Sequence, residues 1–209
     1  MRIAVVSDIH GNLPALEAVV EDFKRAGVDE VVNLGDSLSG PLLPRETAQY
    51  LMETDWFHLA GNHERQVLTL PPERTGPSDA YARSQLTEPQ MSWIRQQRPV
   101  HRLDADILLC HGSPGSDLTH LLMTPIAGGF RPSTADEVEA RLEGAKDARV
   151  ICCGHSHVPA AVRSRSGQLV VNPGSVGLQA YEDDHPFIYK VENGSPDARY
   201  AILEERKGL

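Results

Sequence analysis

The first third of the chain alternates between two hydrophobic periods. Arg2 to Ser7 (RIAVVS) is short, β-branched and almost wholly apolar, as expected of a strand buried on both faces. Leu13, Leu16, Val19, Val20 and Phe23 then recur at helical spacing, with Asn12 placed to cap the start and Gly27 the end. Glu30 to Leu34 (EVVNL) returns to strand character, Arg45 to Met52 to helix, and Trp56 to Leu59 to a third short strand. This order and spacing predict parallel β-α-β units.

The middle is less regular. Leu70 to Asp79 (LPPERTGPSD) reads as a Pro-rich loop, followed by helices near Ala80 to Gln85 and Pro89 to Gln97. Ile107 to Cys110 is a strand. Gly112 to Ser133 holds four Gly and three Pro with little periodicity, and reads as a long loop of the kind that borders sites. Ser133 or Thr134 caps a helix through Glu143, and Val150 to Cys153 is the next strand. From Ala160 on, short strands are separated by turns at Ser166-Gly167 and Asn193-Gly194. The length suits one domain spanning 1–209, with segments 70–99 and 112–133 bordering its site.

Composition narrows the partners. A 40% apolar and 23% charged chain is ordinary for a soluble protein, and no apolar run approaches the roughly 20 residues of a membrane span. The N-terminal apolar run leads straight into Asp8 and His10 without a small-residue cleavage site, so it reads as a strand and the expected compartment is the cytoplasm. The net charge of −9 argues against strong nucleic-acid binding. Cys110, Cys152 and Cys153 read as buried free thiols, with a thiol ligand as the alternative.

Five polar clusters each follow a predicted strand: Asp8-x-His10, Gly35-Asp36, Gly61-Asn62-His63-Glu64, His111-Gly112 and Gly154-His155-Ser156-His157. Each alone is a weak signal. In register with five strand ends they point to one site, because parallel strands converge at their carboxyl ends. The mixed imidazole, carboxylate and amide donors suit Mn, Fe, Zn, Co or Ni better than a calcium cage.

The ordered series SDIHGN, LGD, GNHE, LLCHG, GHSH and NPGSVG, running from residue 2 to about 178, resembles the calcineurin-like metallophosphoesterase superfamily. It is most similar to the small bacterial and archaeal phosphodiesterase branch. The resemblance implies an α/β fold: a four-layer β-sandwich flanked by helices. It implies two divalent transition-metal ions, one held by Asp8, His10 and His157, the other by Asn62, His111 and His155, with Asp36 bridging them. It further implies hydrolysis of a small phosphate ester, by preference a diester, through a metal-bound hydroxide with His63 as general acid. Phosphomonoesterase or dinucleoside polyphosphate hydrolase activity and a non-catalytic scaffold are the alternatives.

Asn12 is a substrate contact or simply the helix cap. Asn172 and Ser175 are expected to shape a turn beneath the site and hydrogen-bond a ligand histidine. His58 and His101 read as structural, His120 and His185 as solvated loop residues with substrate contact as the alternative, and Arg45 and Arg131 as candidate phosphate or base contacts. The protein serine/threonine phosphatase branch carries GDxVDRG, where an Asp partners the catalytic His and an Arg grips phosphate. This chain has Ser39 and Gly40 in those places, so protein phosphatase activity is not expected, and the partner of His63 stays open. The phosphodiesterase branch commonly shows GDxxxxGP, and this loop is one residue shorter. Oligomeric state, a homo-oligomer included, is left open by the sequence.

Overall fold

The computed structural model describes residues 1–184 and 187–205. The N-terminal half runs β1 (Arg2–Val6), α1 (Leu13–Ala26), β2 (Glu30–Asn33), α2 (Pro44–Met52), β3 (Phe57–His58), α3 (Asn62–Thr69), α4 (Pro77–Gln85) and α5 (Glu88–Arg95). There follow β4 (Val100–Arg102), β5 (Ile107–Cys110), β6 (Met123–Ile126), β7 (Gly129–Pro132), α6 (Ala135–Arg141) and β8 (Val150–Cys152). The chain closes with β9 (Ala160–Arg163), β10 (Leu169–Asn172), β11 (Ala180–Asp183), β12 (Tyr189–Glu192) and β13 (Ala201–Glu204).

Two sheets dominate. The first has the order β13-β1-β2-β3, with β1, β2 and β3 parallel and β13 antiparallel to β1. The second has the order β4-β5-β8-β10-β9, in which β5, β8 and β10 are parallel and the outer strands antiparallel. Alternation along β1 sorts its side chains into two cores. Ile3 and Val5 meet Val32, Leu34, Leu59, Leu109 and Cys152, a cluster drawn from both sheets, so the sheets pack face to face across it. Ala4 and Val6 turn the other way, onto Leu16, Val19, Val20 and Phe23 of α1. Behind the second sheet, Leu108, Cys110, Ile151 and Val170 pack on Val138 of α6 and Leu142 after it. The result is helix, sheet, sheet, helix: four layers, with central strands buried on both faces, which is why they read as unbroken apolar runs.

Local chemistry sets the element ends. Asn12 Oδ1 accepts the Ala15 N–H at 3.2 Å, Gly27 closes α1 at φ 70°, and Lys24 and Arg25 sit in its last turn. All three cysteines are unpaired and buried in these cores. Burial pushes the Cys152 thiol up to about 12 and the other two upward as well, so none offers a thiolate.

Four elements differ from expectation. Helix α3 has no strong apolar stripe and was not predicted; its order comes from tertiary contacts at its start. Strand β4 was not predicted either. Within the predicted loop 112–133, Met123–Pro132 forms the hairpin β6–β7, with Pro125 opposite Phe130. A two-stranded ribbon tolerates the proline because an edge position needs no N–H there. The Ser166-Gly167 turn joins the paired strands β9 and β10, but Asn193-Gly194 links β12, paired with β11, to β13 in the first sheet. Among the described residues no helix is long and apolar enough to cross a membrane.

Candidate metal centre

The parallel strands of both sheets end at one edge. There β1 delivers Asp8 and His10, β2 Asp36, β3 Asn62, β5 His111, and β8 His155 and His157, all buried. Their loops keep pairing past the strands: Asp8 N–H donates to Gly35 O (3.0 Å), His10 N–H to Asp36 O (3.0 Å) and Gly154 N–H to His111 O (2.6 Å). Asp8, His10, Asp36, His155 and His157 lie at φ between 50° and 65°, and no other described non-glycine residue has positive φ. Each such residue costs about 1–2 kcal/mol, and strain of this kind persists only where the surroundings over-determine it.

Two groups emerge. Ligand atoms of Asp8, His10 and His157 lie within 4.8 Å of one another, and so do those of Asp36, His111 and His155. Asn62 joins the second, its Oδ1 being 3.1 Å from His111 Nε2. Backbone carbonyls, which only accept, fix the histidine tautomers. His10 Nδ1 donates to Ser39 O (2.5 Å), His157 Nδ1 to Leu178 O (2.6 Å), His111 Nδ1 to Leu34 O (2.9 Å) and His155 Nε2 to Leu118 O (3.2 Å). The atoms left facing inward are Nε2 of His10, His157 and His111, and Nδ1 of His155.

The inward atoms fit a cation. His10 Nε2 and His157 Nε2 face each other at 3.2 Å. Asp8 Oδ1 is buried without a hydrogen bond, with His157 Nε2 3.3 Å away. Nitrogen and carboxylate atoms crowded this closely out of water need positive charge among them, from protons or from metal ions. Protons report the same demand. Burial works against ionising Asp8 and Asp36, yet His157 holds Asp8 down at about 2, and His111 holds Asp36 well below the usual range. Burial lowers His111 too, but the Asp36 carboxylate 3.0 Å from its Nε2 outweighs it and raises the ring to about 10. Burial and then the His157 ring depress His10 to about 4; burial and then His120 depress His155. Donor types and geometry thus fit two divalent ions.

Beside this cluster stands His63, at the start of α3, its ring centroid 5.4 Å from that of His10. Its N–H donates to Asp36 Oδ1 at 2.9 Å, and its Nδ1 lies 2.7 Å from Asp79 Oδ1, which also accepts the Ser39 hydroxyl at 2.6 Å. Burial opposes a charged ring, but Asp36 and then Asp79 raise it to about 9. A Cβ added at Gly40 would stand 1.9 Å from His10 O, so this shorter loop has no room for the arginine of the phosphatase branch.

The remaining expected residues divide. Asn12 caps α1 with its oxygen and donates from its amide to Gly177 O at 3.0 Å. Asn172 and Ser175 support the backbones of Gly154 and Asp8, and neither makes the expected bond to a histidine. Asn172 donates to Gly154 O and Ser156 Oγ, and Ser175 to Asp8 O. The outward ring nitrogen of each of His10, His157, His111 and His155 is taken by a backbone carbonyl. His58 bonds Asn33 and Thr54, and His101 stacks on Phe57, both as structural residues. Arg131 is spent on Glu137 in a two-bonded pair. His120 overturns its solvated-loop reading: it is 6% exposed and stacks on His155 at 4.3 Å, with Nε2 on Tyr189 Oη. His185 lies outside the described residues. Sequence reasoning gave no role to Glu64 or Asp79 and did not place His120 against His155. Only Glu64 carried a signal, as the N3 acid of a helix start.

Comparison with known proteins agrees with this geometry. The chain is 39% identical over 217 residues to the uncharacterized protein MJ0912 of Methanocaldococcus jannaschii, covering 98% of this chain and 83% of that one. A crystallised metallophosphoesterase from Sphaerobacter thermophilus superposes with a TM-score of 0.73 at 26% identity, over 98% of this chain and 84% of its own. Yfce, a phosphoesterase from E. coli, shares the fold with a TM-score of 0.52 at 23% identity, over 98% and 88%. The sequence model of the calcineurin-like phosphoesterase superfamily domain matches residues 1–194, and the chain therefore belongs to that metal-dependent superfamily of phosphoric ester hydrolases.

Proposed function

We propose that the protein hydrolyses phosphodiester bonds of a small substrate, with Asp8, His10 and His157 holding one divalent ion, Asn62, His111 and His155 a second, and Asp36 between them. The observation that carries this reading is the pair of buried donor groups, Asp8, His10 and His157 beside Asp36, His111 and His155, the ligand atoms of each group converging within 4.8 Å. Two cations there would draw charge from the phosphoryl oxygens and lower the pKa of a water held between them. The protein's own part is positioning. The carbonyls of Ser39, Leu178, Leu34 and Leu118 hold four rings in one tautomer each. His63 stands beside His10 and delivers the proton that the departing oxygen takes as the P–O bond breaks.

The diester preference is supported by what the Ser39-Gly40 loop omits. With no room for a side chain at Gly40, no phosphate-gripping arginine comes from this loop to balance the second charge of a monoester. We take the compartment to be the cytoplasm, supported by three unpaired cysteines.

Stripping the protein with chelator, restoring Mn, Ni, Zn or Fe, and comparing bis(p-nitrophenyl) phosphate with p-nitrophenyl phosphate tests the reading. Faster diester turnover is expected. A monoester preference overturns the diester assignment, and stoichiometric metal binding without turnover favours a scaffold.

A further inference from the structure

Asp79 sits in the first turn of α4, in a segment whose sequence carries no motif, and its side chain is 4% exposed. Its Oδ1 receives two groups at once: His63 Nδ1 at 2.7 Å and the Ser39 hydroxyl at 2.6 Å. Ser39 is the residue standing where the phosphatase branch keeps its own aspartate, and here it binds a carboxylate brought from another element.

Helix α4 is fastened at both sides of this contact. Arg83 donates to Val67 O (2.7 Å), Gln66 O (3.1 Å) and Leu70 O (2.9 Å), the carbonyls ending α3, whose first residues are Asn62 and His63. On the other side Tyr81 Oη donates to Leu42 O at 3.4 Å, in the loop that holds Ser39. Asp79 therefore reaches His63 from a frame tied to both neighbours of the site.

We propose that Asp79 is the positioning residue of the general acid, fixing the plane and tautomer of His63 so that Nε2–H faces the leaving oxygen. This rests on the reading of His63 as the acid. A carboxylate accepts and never donates, so Nδ1 keeps its proton and Nε2 is the exchanging atom. As the P–O bond breaks, its electron pair goes to the departing oxygen, the Nε2 proton follows, and the ring is left neutral with Nδ1–H still on Asp79. Water returns the proton to Nε2. Without the anchor, the neutral ring samples the tautomer that places its lone pair toward Asp79's position and the wrong nitrogen toward substrate.

The test uses metal-loaded protein and a series of diesters whose leaving groups rise in pKa from p-nitrophenol to an alkyl alcohol. Asp79→Asn is expected to lose about 10–100-fold in kcat on the poorest leaving group, part of the 10²–10⁴-fold that a whole acid contributes, and little on p-nitrophenolate. In a His63→Ala background, Asp79→Asn should add nothing. Ser39→Ala keeps the carboxylate and should show the same trend at smaller size. Nitrogen-15 shifts of the His63 ring, read in the metal-free protein, should report protonated Nδ1 in the parent and a changed tautomer mixture in Asp79→Asn. Metal content and circular dichroism accompany each variant. A loss independent of leaving group, in Asp79→Asn or in Ser39→Ala if the former does not fold, makes the residue merely structural and overturns the proposal. If His63→Ala itself shows no leaving-group dependence, the acid reading has failed instead. If His63→Ala shows it and Asp79→Asn does not, only the role of Asp79 falls.

Discussion

Glu64 holds the backbone of Asp36: its Oε2 accepts the Asp36 N–H at 2.8 Å. The same oxygen accepts Gly61 N–H at 2.8 Å, and Oε1 accepts Ser37 N–H at 2.8 Å. One buried side chain thus ties the loop after β2 to the loop after β3. Burial and the nearby Asp36 raise its pKa, while the three N–H donors favour the ionised form. Glu64→Gln turns an N–H₂ toward donors that need an acceptor. It is expected to cost about 2–4 kcal/mol in stability and to weaken metal binding about 10-fold or more, measured by chemical unfolding and by metal titration.

The close approach of those two loops also depends on glycine. A Cβ at Gly61 would lie 2.2 Å from Asp36 Oδ1. Gly61→Ala should therefore displace the carboxylate, destabilise by about 2 kcal/mol or more, and reduce the number of ions bound. Gly115→Ala, where nothing lies within 4 Å, serves as control and should stay within about 0.5 kcal/mol.

His120 braces the His155 ring from outside. It stacks on His155 at an interplanar angle of 12°, while Tyr189 Oη, itself donating to Asp183 at 2.8 Å, anchors its far nitrogen. His120→Ala should weaken binding of the ion held by His155 about 10–100-fold in calorimetry. His120→Phe keeps the stacked ring and should recover most of that loss.

Metal removal has a stability consequence. Five residues at left-handed φ crowd their acceptors at this edge, so ions that bind only the folded chain stabilise it through both mass action and charge. Excess chelator should lower the melting temperature, and ions restored at ~100 times their Kd should return about 2.7 kcal/mol per site. An unchanged melting temperature would count against both donor groups.

Acid should weaken the fold through His58. Burial depresses this ring from 6.5 to about 4. A histidine with a lowered folded pKa contributes stability that is complete above 6.5 and is lost as pH falls toward about 4, because the unfolded chain takes the proton first. The loss reaches about 3 kcal/mol. Unfolding free energies at pH 7 and pH 4 should differ less in His58→Gln than in the parent by about that amount.

What the sequence determined was local. Short unbroken apolar runs located β1, β2 and the strands before His111 and His155, and helical spacing located α1, because a strand buried on both faces is apolar throughout and a helix repeats its buried face at its own period. Asn12 and Gly27 announced the ends of α1 because caps act within one turn. The polar clusters after the strands were legible for the same reason: each ligand is covalently attached to the strand that carries it.

What only the tertiary structure decided was which surfaces and polar atoms meet across long stretches of chain. That Ile3 and Val5 face the second sheet while Ala4 faces α1 depends on the packing of distant layers. The partner of His63 lies 16 residues on, and the oxygen it uses is shared with Ser39, 40 residues away in sequence from Asp79. His120 looked solvated because nothing local to a loop histidine marks the His155 ring it covers. Hydrogen bonds and stacks of this kind have no sequence period, since they are selected by where the folded backbone brings two groups and by the cost of leaving either buried alone.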